Sequence, residues 1–187
     1  GTDPIYIASQ ILSALYAIPS RYINPLEPCV VTVGQIHAGT TSNVIPNNVY
    51  LHGTIRSFAP EVREQLWSEI ERAFKIADVL GGGYKFVLHK SYPATFHSAE
   101  VNRKIQTVAE EFFGKDVIKI EPKAFGMGAE DFGYMTQKAP GAMFMLGAKT
   151  DDDLNRSHHT DIFDIDESVL PIGAAVLAET ARRMLTA

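Results

Sequence analysis

The chain has 187 residues, 45% hydrophobic and 21% charged, with a formal net charge of −5, enough to bury the core of one medium domain or two small ones. That balance excludes general nucleic-acid binding, which needs a basic face to displace counterions, and no apolar run approaches the roughly 20 residues of a membrane span. The single cysteine, Cys29, excludes an intrachain disulfide and a cysteine-rich zinc site and suits a reducing, cytoplasmic compartment.

In chain order, Asp3-Pro4 reads as an N-cap followed by the first helical position. Ile5, Ala8, Ile11, Leu12 and Leu15 follow at helical spacing, and Pro19 is expected to end this helix near Ile18. Residues 29–36 are short and β-branched and predict a strand; residues 48–58 predict a second. In the second strand Val49, Leu51, Gly53, Ile55 and Ser57 fall on one face, with Tyr50, His52, Thr54, Arg56 and Phe58 on the other. The Gly-, Thr-, Ser- and Asn-rich stretch between them is a loop. A helix is expected over 60–80, with Val62, Leu66, Ile70, Phe74 and Ala77 as its apolar stripe and the glycines at 81–83 as its stop. Residues 84–90 predict a third strand, and a further short one falls near Val44-Ile45 or Ala94–Phe96. The expected architecture of residues 1–95 is therefore an α+β sandwich, a ferredoxin-like four-stranded antiparallel sheet with two helices on one face.

Beyond His97 the pattern alternates β and α: a helix over 100–113 capped by Gly114, a short strand over 117–120, a glycine-rich loop at 125–128, and a short helix from Glu130. A fully apolar strand of the buried parallel kind over 142–146 and a final helix over 167–185 complete it. Two strands and three helices leave a half-open core, thin for a doubly wound α/β sheet, and predict that part of the domain is absent.

Three constellations can carry chemistry. Residues 155–167 (NRSHHTDIFDIDE) place His158 and His159 among carboxylates just before a helix. They read either as metal ligands with orienting acids or as a solvated loop capping the helix. One or two histidines cannot alone fill a zinc site. Asn43 in NVIP and Arg56 in GTIR read either as a clamp for a carboxylate, with the guanidinium fork as its main part, or as surface residues on the exposed side of a sheet. Gly126, Gly128 and Glu130 stand where glycines expose backbone before a helix; the alternatives are a ligand-approach loop or a simple turn. His37, His52, His89 and His97 carry no motif, no serine sits in a nucleophile elbow, and Cys29 reads as a strand residue rather than a nucleophile.

Taken in order, TDPI (2–5), Ser20-Arg21, the segment from Gly39 ending in NVIP, GTIRSF (53–58), GAEDF (128–132), Pro140-Gly141 with FMLG (144–147) and HTDIFDIDE (159–167) resemble the M20 metallopeptidases, in particular their amidohydrolase branch. That branch includes hippurate hydrolase, N-acyl-L-amino acid amidohydrolases and auxin-conjugate hydrolases. The resemblance implies that residues 1–95 are a lid or dimerisation domain and 96–187 the closing part of a zinc-peptidase-like catalytic domain. It implies a pair of divalent ions, zinc in the usual case with manganese, cobalt or nickel as alternatives, and His159 as the one ligand in this chain, with His158 the alternative if the alignment slips by one. It implies Asn43 and Arg56 as binders of the substrate carboxylate, and Gly128 and Glu130 as pocket residues.

The chain departs from that branch at His37-Ala38-Gly39-Thr40-Thr41, where two glycines are usual. The family's Cys-Gly-His-Asp segment, paired glutamates, middle ligand histidine and oxyanion histidine are absent; in the family they precede the position of Gly1. The resemblance thus implies a small N-acyl amino acid substrate, a homodimer through the lid, no nucleic-acid or membrane partner, and no turnover by this chain alone. The contrasting reading is a non-catalytic module for dimerisation or small-ligand binding.

Overall fold

The computed structural model describes residues 1–119 and 126–186. They fall into two compact units, residues 1–94 with 126–131 and residues 95–119 with 132–186.

In the first unit, helix α1 (Pro4–Arg21) is capped as its sequence predicts: the Asp3 carboxylate accepts from Ile5 N–H at 2.9 Å and Tyr6 N–H at 3.3 Å. Pro19 does not end it. The helix continues through the proline to Arg21, and the Tyr22 N–H closes the last turn on the Ile18 carbonyl at 3.0 Å. Strands β1 (Cys29–Ala38) and β2 (Val49–Ser57) pair antiparallel from Cys29↔Ser57 to Ala38↔Val49, with a register shift between Val33 and Gln35. Helix α2 (Pro60–Phe74) breaks at Lys75 and resumes for one turn as α3 (Ile76–Val79). The apolar stripes of α1 and α2 meet over Ile7, Ile11, Leu15, Ile18, Val62, Leu66 and Ile70, with Ile23 of the following loop in the same core. Val31, Val33, Leu51 and Ile55 of the hairpin close against them.

The four-stranded, ferredoxin-like sheet expected here is not found: among the described residues the sheet has two strands, β1 and β2. Residues 84–90 form no regular element and join no ladder. Their side chains nevertheless alternate as a strand's would, with Tyr84, Phe86 and Leu88 half-buried and the residues between them exposed. Tyr84 and Phe86 lie over Phe74 at ring-centroid distances of 5.9 and 5.6 Å. Arg63 holds the segment's end, donating to the Ser91 carbonyl at 2.7 Å and the Tyr92 carbonyl at 3.1 Å, while Lys90 lies 4.3 Å from the Trp67 ring centre. Side-chain packing and the Arg63 clamp thus do what backbone pairing was expected to do. Val44 and Ile45 are exposed and unpaired in a loop.

In the second unit, α4 (Ala99–Phe113) starts on the Ser98 hydroxyl, which accepts from Val101 N–H, and ends at Gly114. The short helix α5 (Phe132–Thr136) and a 3-10 turn (Glu167–Val169) precede α6 (Leu170–Leu185). Val101, Ile105, Val108 and Val176 form the core between α4 and α6, with Ala142 and Phe144 against it. The α/β character expected for this part is also corrected: its described residues contain helices and no strand. Residues 142–146 are not a buried parallel strand; Met145 is 66% exposed, and no flanking strand supplies the ladder such a segment requires. Lys115–Val117 is a 3-10 turn where a strand was expected to begin; Ile120, the end of that segment, and Phe125 lie outside the described residues.

An ionic network ties α6 to α4. Arg183 binds both oxygens of Glu111, at 3.0 and 2.5 Å, and Glu179 at 2.7 Å, and Glu179 also holds Arg182. Hydrogen bonds from Arg182, then Arg183, pull the Glu179 carboxyl down from 4.5 to about 2, and Arg183 likewise lowers Glu111. A depressed carboxyl contributes stability that is complete above its ordinary value and lost as pH falls toward its folded value. The thermal midpoint of this unit is therefore expected to drop between pH 4.5 and 2, and Glu179→Gln to flatten that drop. Melting curves followed across that range check it; an unchanged acid limb in the variant would count against the network.

Candidate functional site: an arginine-bearing sheet face and a histidine turn

The outer face of the hairpin follows from strand alternation and register. Tyr50, His52, Thr54 and Arg56 stand opposite His37, Gln35, Thr32 and Val30. Directly opposed residues share a face, so one surface carries two imidazoles, a phenol and a guanidinium. Tyr50 bridges the two histidines, with ring centroids 6.1 Å from His37 and 6.2 Å from His52. Gly53 sits at the register shift because nothing larger fits: a Cβ there would stand 2.2 Å from the Thr32 carbonyl oxygen.

Arg56 is exposed, and among the described residues no carboxylate pairs with it. Its Nη1 instead donates to the main-chain carbonyl of Met127. This contact brings together two of the segments singled out in the sequence, GTIR and GMGAED. Gly126 holds φ at +146°, a glycine conformation, whereas the space around Gly128 is open, with no atom within 4 Å of a would-be Cβ. Glu130 is exposed on the same stretch. Asn43 lies in the exposed loop between the strands, where its Oδ1 accepts from the Thr41 hydroxyl at 3.0 Å. The amide Nδ2 is a donor that this bond does not use.

In the second unit the histidine segment is a compact turn organised by Arg156. Its guanidinium pairs with Asp152 at 2.7 Å, approaches Asp164 at 4.0 Å and donates to the Ile162 carbonyl at 2.9 Å. The bond from Arg156 lowers the Asp152 carboxyl below its usual range, helped by Thr150. His158 stacks on Phe163 at 5.3 Å. His159 is exposed and has φ +66°, the one non-glycine residue with left-handed backbone among those described. Such a conformation costs about 1 kcal/mol or more for a residue with a Cβ. His159→Gly is therefore expected to keep or slightly raise the thermal midpoint of the chain; a clear drop would mean that the imidazole itself supports the turn.

Among the described residues no three His, Cys, Asp or Glu side chains gather as a metal-holding group. The described residues therefore do not by themselves make a metal centre. Cys29 is half-buried and burial raises its thiol pKa, which keeps it protonated and a poor nucleophile. No helix of the described residues is long and apolar enough to cross a membrane. Two features escaped the sequence reading. Met127 enters through its carbonyl, which every residue type carries. Arg156 could have been found from its spacing, four residues after Asp152 and eight before Asp164.

The sequence profile of Peptidase family M20/M25/M40 matches residues 17–183. The chain is 35% identical to thermostable carboxypeptidase 1 of Saccharolobus solfataricus, over 92% of this chain and 43% of that protein. It is 32% identical to N-acetyl-L-cysteine deacetylase of Bacillus subtilis, over 99% of this chain and 43% of the relative. A solved structure from Bacillus subtilis, described as a dinuclear metal binding peptidase from the M20 family, superposes with a TM-score of 0.76 at 27% identity, covering 99% of this chain and 46% of that one. The chain thus spans about half the length of the relatives it matches.

Proposed function

The chain belongs to peptidase family M20/M25/M40, and on that premise we propose that it is the carboxylate-reading part of a metal-dependent amidohydrolase acting on N-acyl amino acids or closely related small amides. The observation that carries this reading is Arg56: an exposed guanidinium on a sheet face, with no acidic partner among the described residues. Arg72, Arg156, Arg182 and Arg183 are each paired with a carboxylate of the chain, whereas Arg56, like Arg63, meets main-chain carbonyls. A fork left without an acid is suited to one brought by a ligand. The two curated relatives support the same chemistry. A carboxypeptidase works beside a C-terminal carboxylate, and N-acetyl-L-cysteine carries an α-carboxylate next to its amide.

In this reading Arg56 binds the substrate carboxylate and the Asn43 Nδ2 adds a neutral donor, and this end of the substrate is bound alike in the ground state and the transition state. Gly128 and Glu130 line the approach to the same face. His159 supplies one metal ligand. When bound, the metal pair would polarise the amide and activate water, but the described residues do not make that centre and no step through it is assigned to them. Residues 1–95 are proposed to act as the lid and 96–187 as part of the catalytic domain.

The division of labour is tested by comparing two polypeptides. The 187-residue chain alone is expected to bind zinc weakly and to hydrolyse no N-acetyl amino acid. A polypeptide of the relatives' full length containing this sequence is expected to turn such substrates over in a metal-dependent manner. Tight stoichiometric zinc with turnover from the shorter chain would overturn the assignment.

A further inference from the structure

The Arg56 fork is not empty. Its Nη1 is taken by the Met127 carbonyl, and the segment that delivers this carbonyl is unusual in two respects. It is bounded by Gly126, whose φ of +146° excludes ordinary side chains, and by Gly128, around which there is open space. Residues 126–131 also group by their contacts with residues 1–94 rather than with their own sequence neighbours. A glycine-bounded tripeptide thus presents a neutral acceptor to the same donor that the proposed function assigns to a ligand carboxylate.

We propose that the Met127 carbonyl is a built-in placeholder at Nη1, and that a ligand carboxylate taking the Nη1–Nη2 pair of Arg56 expels it and releases the segment 126–131. The inference rests on the assignment of Arg56 as the carboxylate binder. The physical basis is competition. A guanidinium–carboxylate pair is charge-assisted and uses two parallel N–H donors, whereas a carbonyl offers a neutral acceptor. The carboxylate wins the exchange, and a ligand lacking the charge does not. The placeholder keeps the guanidinium oriented before ligand arrives, and it makes the state of the glycine segment depend on whether an acid is bound. Free energy spent on displacing it lowers apparent affinity by the fraction of molecules in which the fork is open. Loosening the segment should therefore tighten ligand binding, the opposite of what damage to a binding residue does.

The chain has five methionines, so methyl-labelled methionine gives a spectrum in which Met127 is assigned by its loss in Met127→Leu. The probes are N-acetylglycine and its uncharged counterpart, N-acetylglycinamide. Arg56→Gln and Arg56→Ala are expected to move the Met127 methyl signal to a released position while the other methionine signals stay in place. N-acetylglycine should drive the parent signal toward that same position, and N-acetylglycinamide should not. Gly126→Ala, which disfavours the latched backbone, is expected to bind N-acetylglycine about threefold more tightly. A Met127 signal indifferent to both Arg56 substitutions would overturn the placeholder. So would Arg56-dependent binding of N-acetylglycine that leaves Met127 unmoved, in which case the carboxylate assignment stands alone. Binding that does not depend on Arg56 at all would remove the carboxylate assignment and the placeholder with it.

Discussion

Replacing Arg56 by alanine in a polypeptide of the relatives' full length is expected to raise KM for N-acetyl amino acids about 10- to 100-fold, because charge-assisted hydrogen bonds of this kind are worth about 1.5–3 kcal/mol. The turnover number should change much less, since the carboxylate is bound alike in the ground state and the transition state. Arg56→Lys should recover only part of the loss. It keeps the charge but not the planar fork. A substrate whose carboxylate is replaced by a carboxamide should have nearly the same KM in parent and variant. Steady-state kinetics with the paired substrates measure all of this. Equal increases in KM for both would mean that Arg56 supports the sheet face rather than the ligand.

The largest effect on stability is expected at Gly53. An added methyl would stand 2.2 Å from the Thr32 carbonyl oxygen and 3.2 Å from its carbon, and both atoms belong to the backbone of the paired strand. Neither can turn aside as a flexible side chain would, so β1 must shift where its register already slips between Val33 and Gln35. Gly53→Ala should cost about 3 kcal/mol, at the upper end of overpacking effects. Gly34→Ala, with nothing within 4 Å of the new Cβ, should stay within about 0.5 kcal/mol of the parent. The single tryptophan, Trp67, lies on α2 in the same unit and reports unfolding by fluorescence. Equal midpoints for the two alanine variants in denaturant would show that the hairpin absorbs the methyl without cost. The glycine of the GTIR motif is thus a packing requirement of the strand that carries Arg56, and its effect on activity is expected to be indirect.

What was legible in the sequence is what local geometry determines. The two-residue period of β2 places Arg56 with Tyr50 and His52 on one face, and the structure agrees because side-chain direction alternates along any extended strand. Asp3 capped its helix for the same kind of reason: the donors it serves lie within one turn. Along the segment expected to be a third strand the structure half-buries Tyr84, Phe86 and Leu88 in alternation, yet the expected ladder did not follow. Pairing depends on a neighbour distant in sequence, and in this chain the Arg63 clamp and the Phe74 contacts take its place. At Pro19 the breaker signal lost to the helix around it. A missing N–H removes one bond, and the buried stripe from Ile7 to Ile18 with Ile23 beyond carries the chain through.

The candidate site divides along the same line. Arg56, Asn43 and His159 were visible as residue types in motifs. The Met127 carbonyl was not, because backbone atoms have no identity in a sequence. The left-handed turn at His159 was equally hidden: histidine has no strong preference for it, and Arg156 shapes the loop through contacts that span twelve residues, from Asp152 to Asp164.

The most direct test of the account is the ratio of kcat/KM for an N-acetyl amino acid to that for its carboxamide, measured on the metal-loaded, full-length polypeptide containing this sequence. A carboxylate reader built around Arg56 predicts hydrolysis of both with a preference of at least about tenfold for the free acid. Hydrolysis of the two at equal efficiency, or of neither, would contradict it.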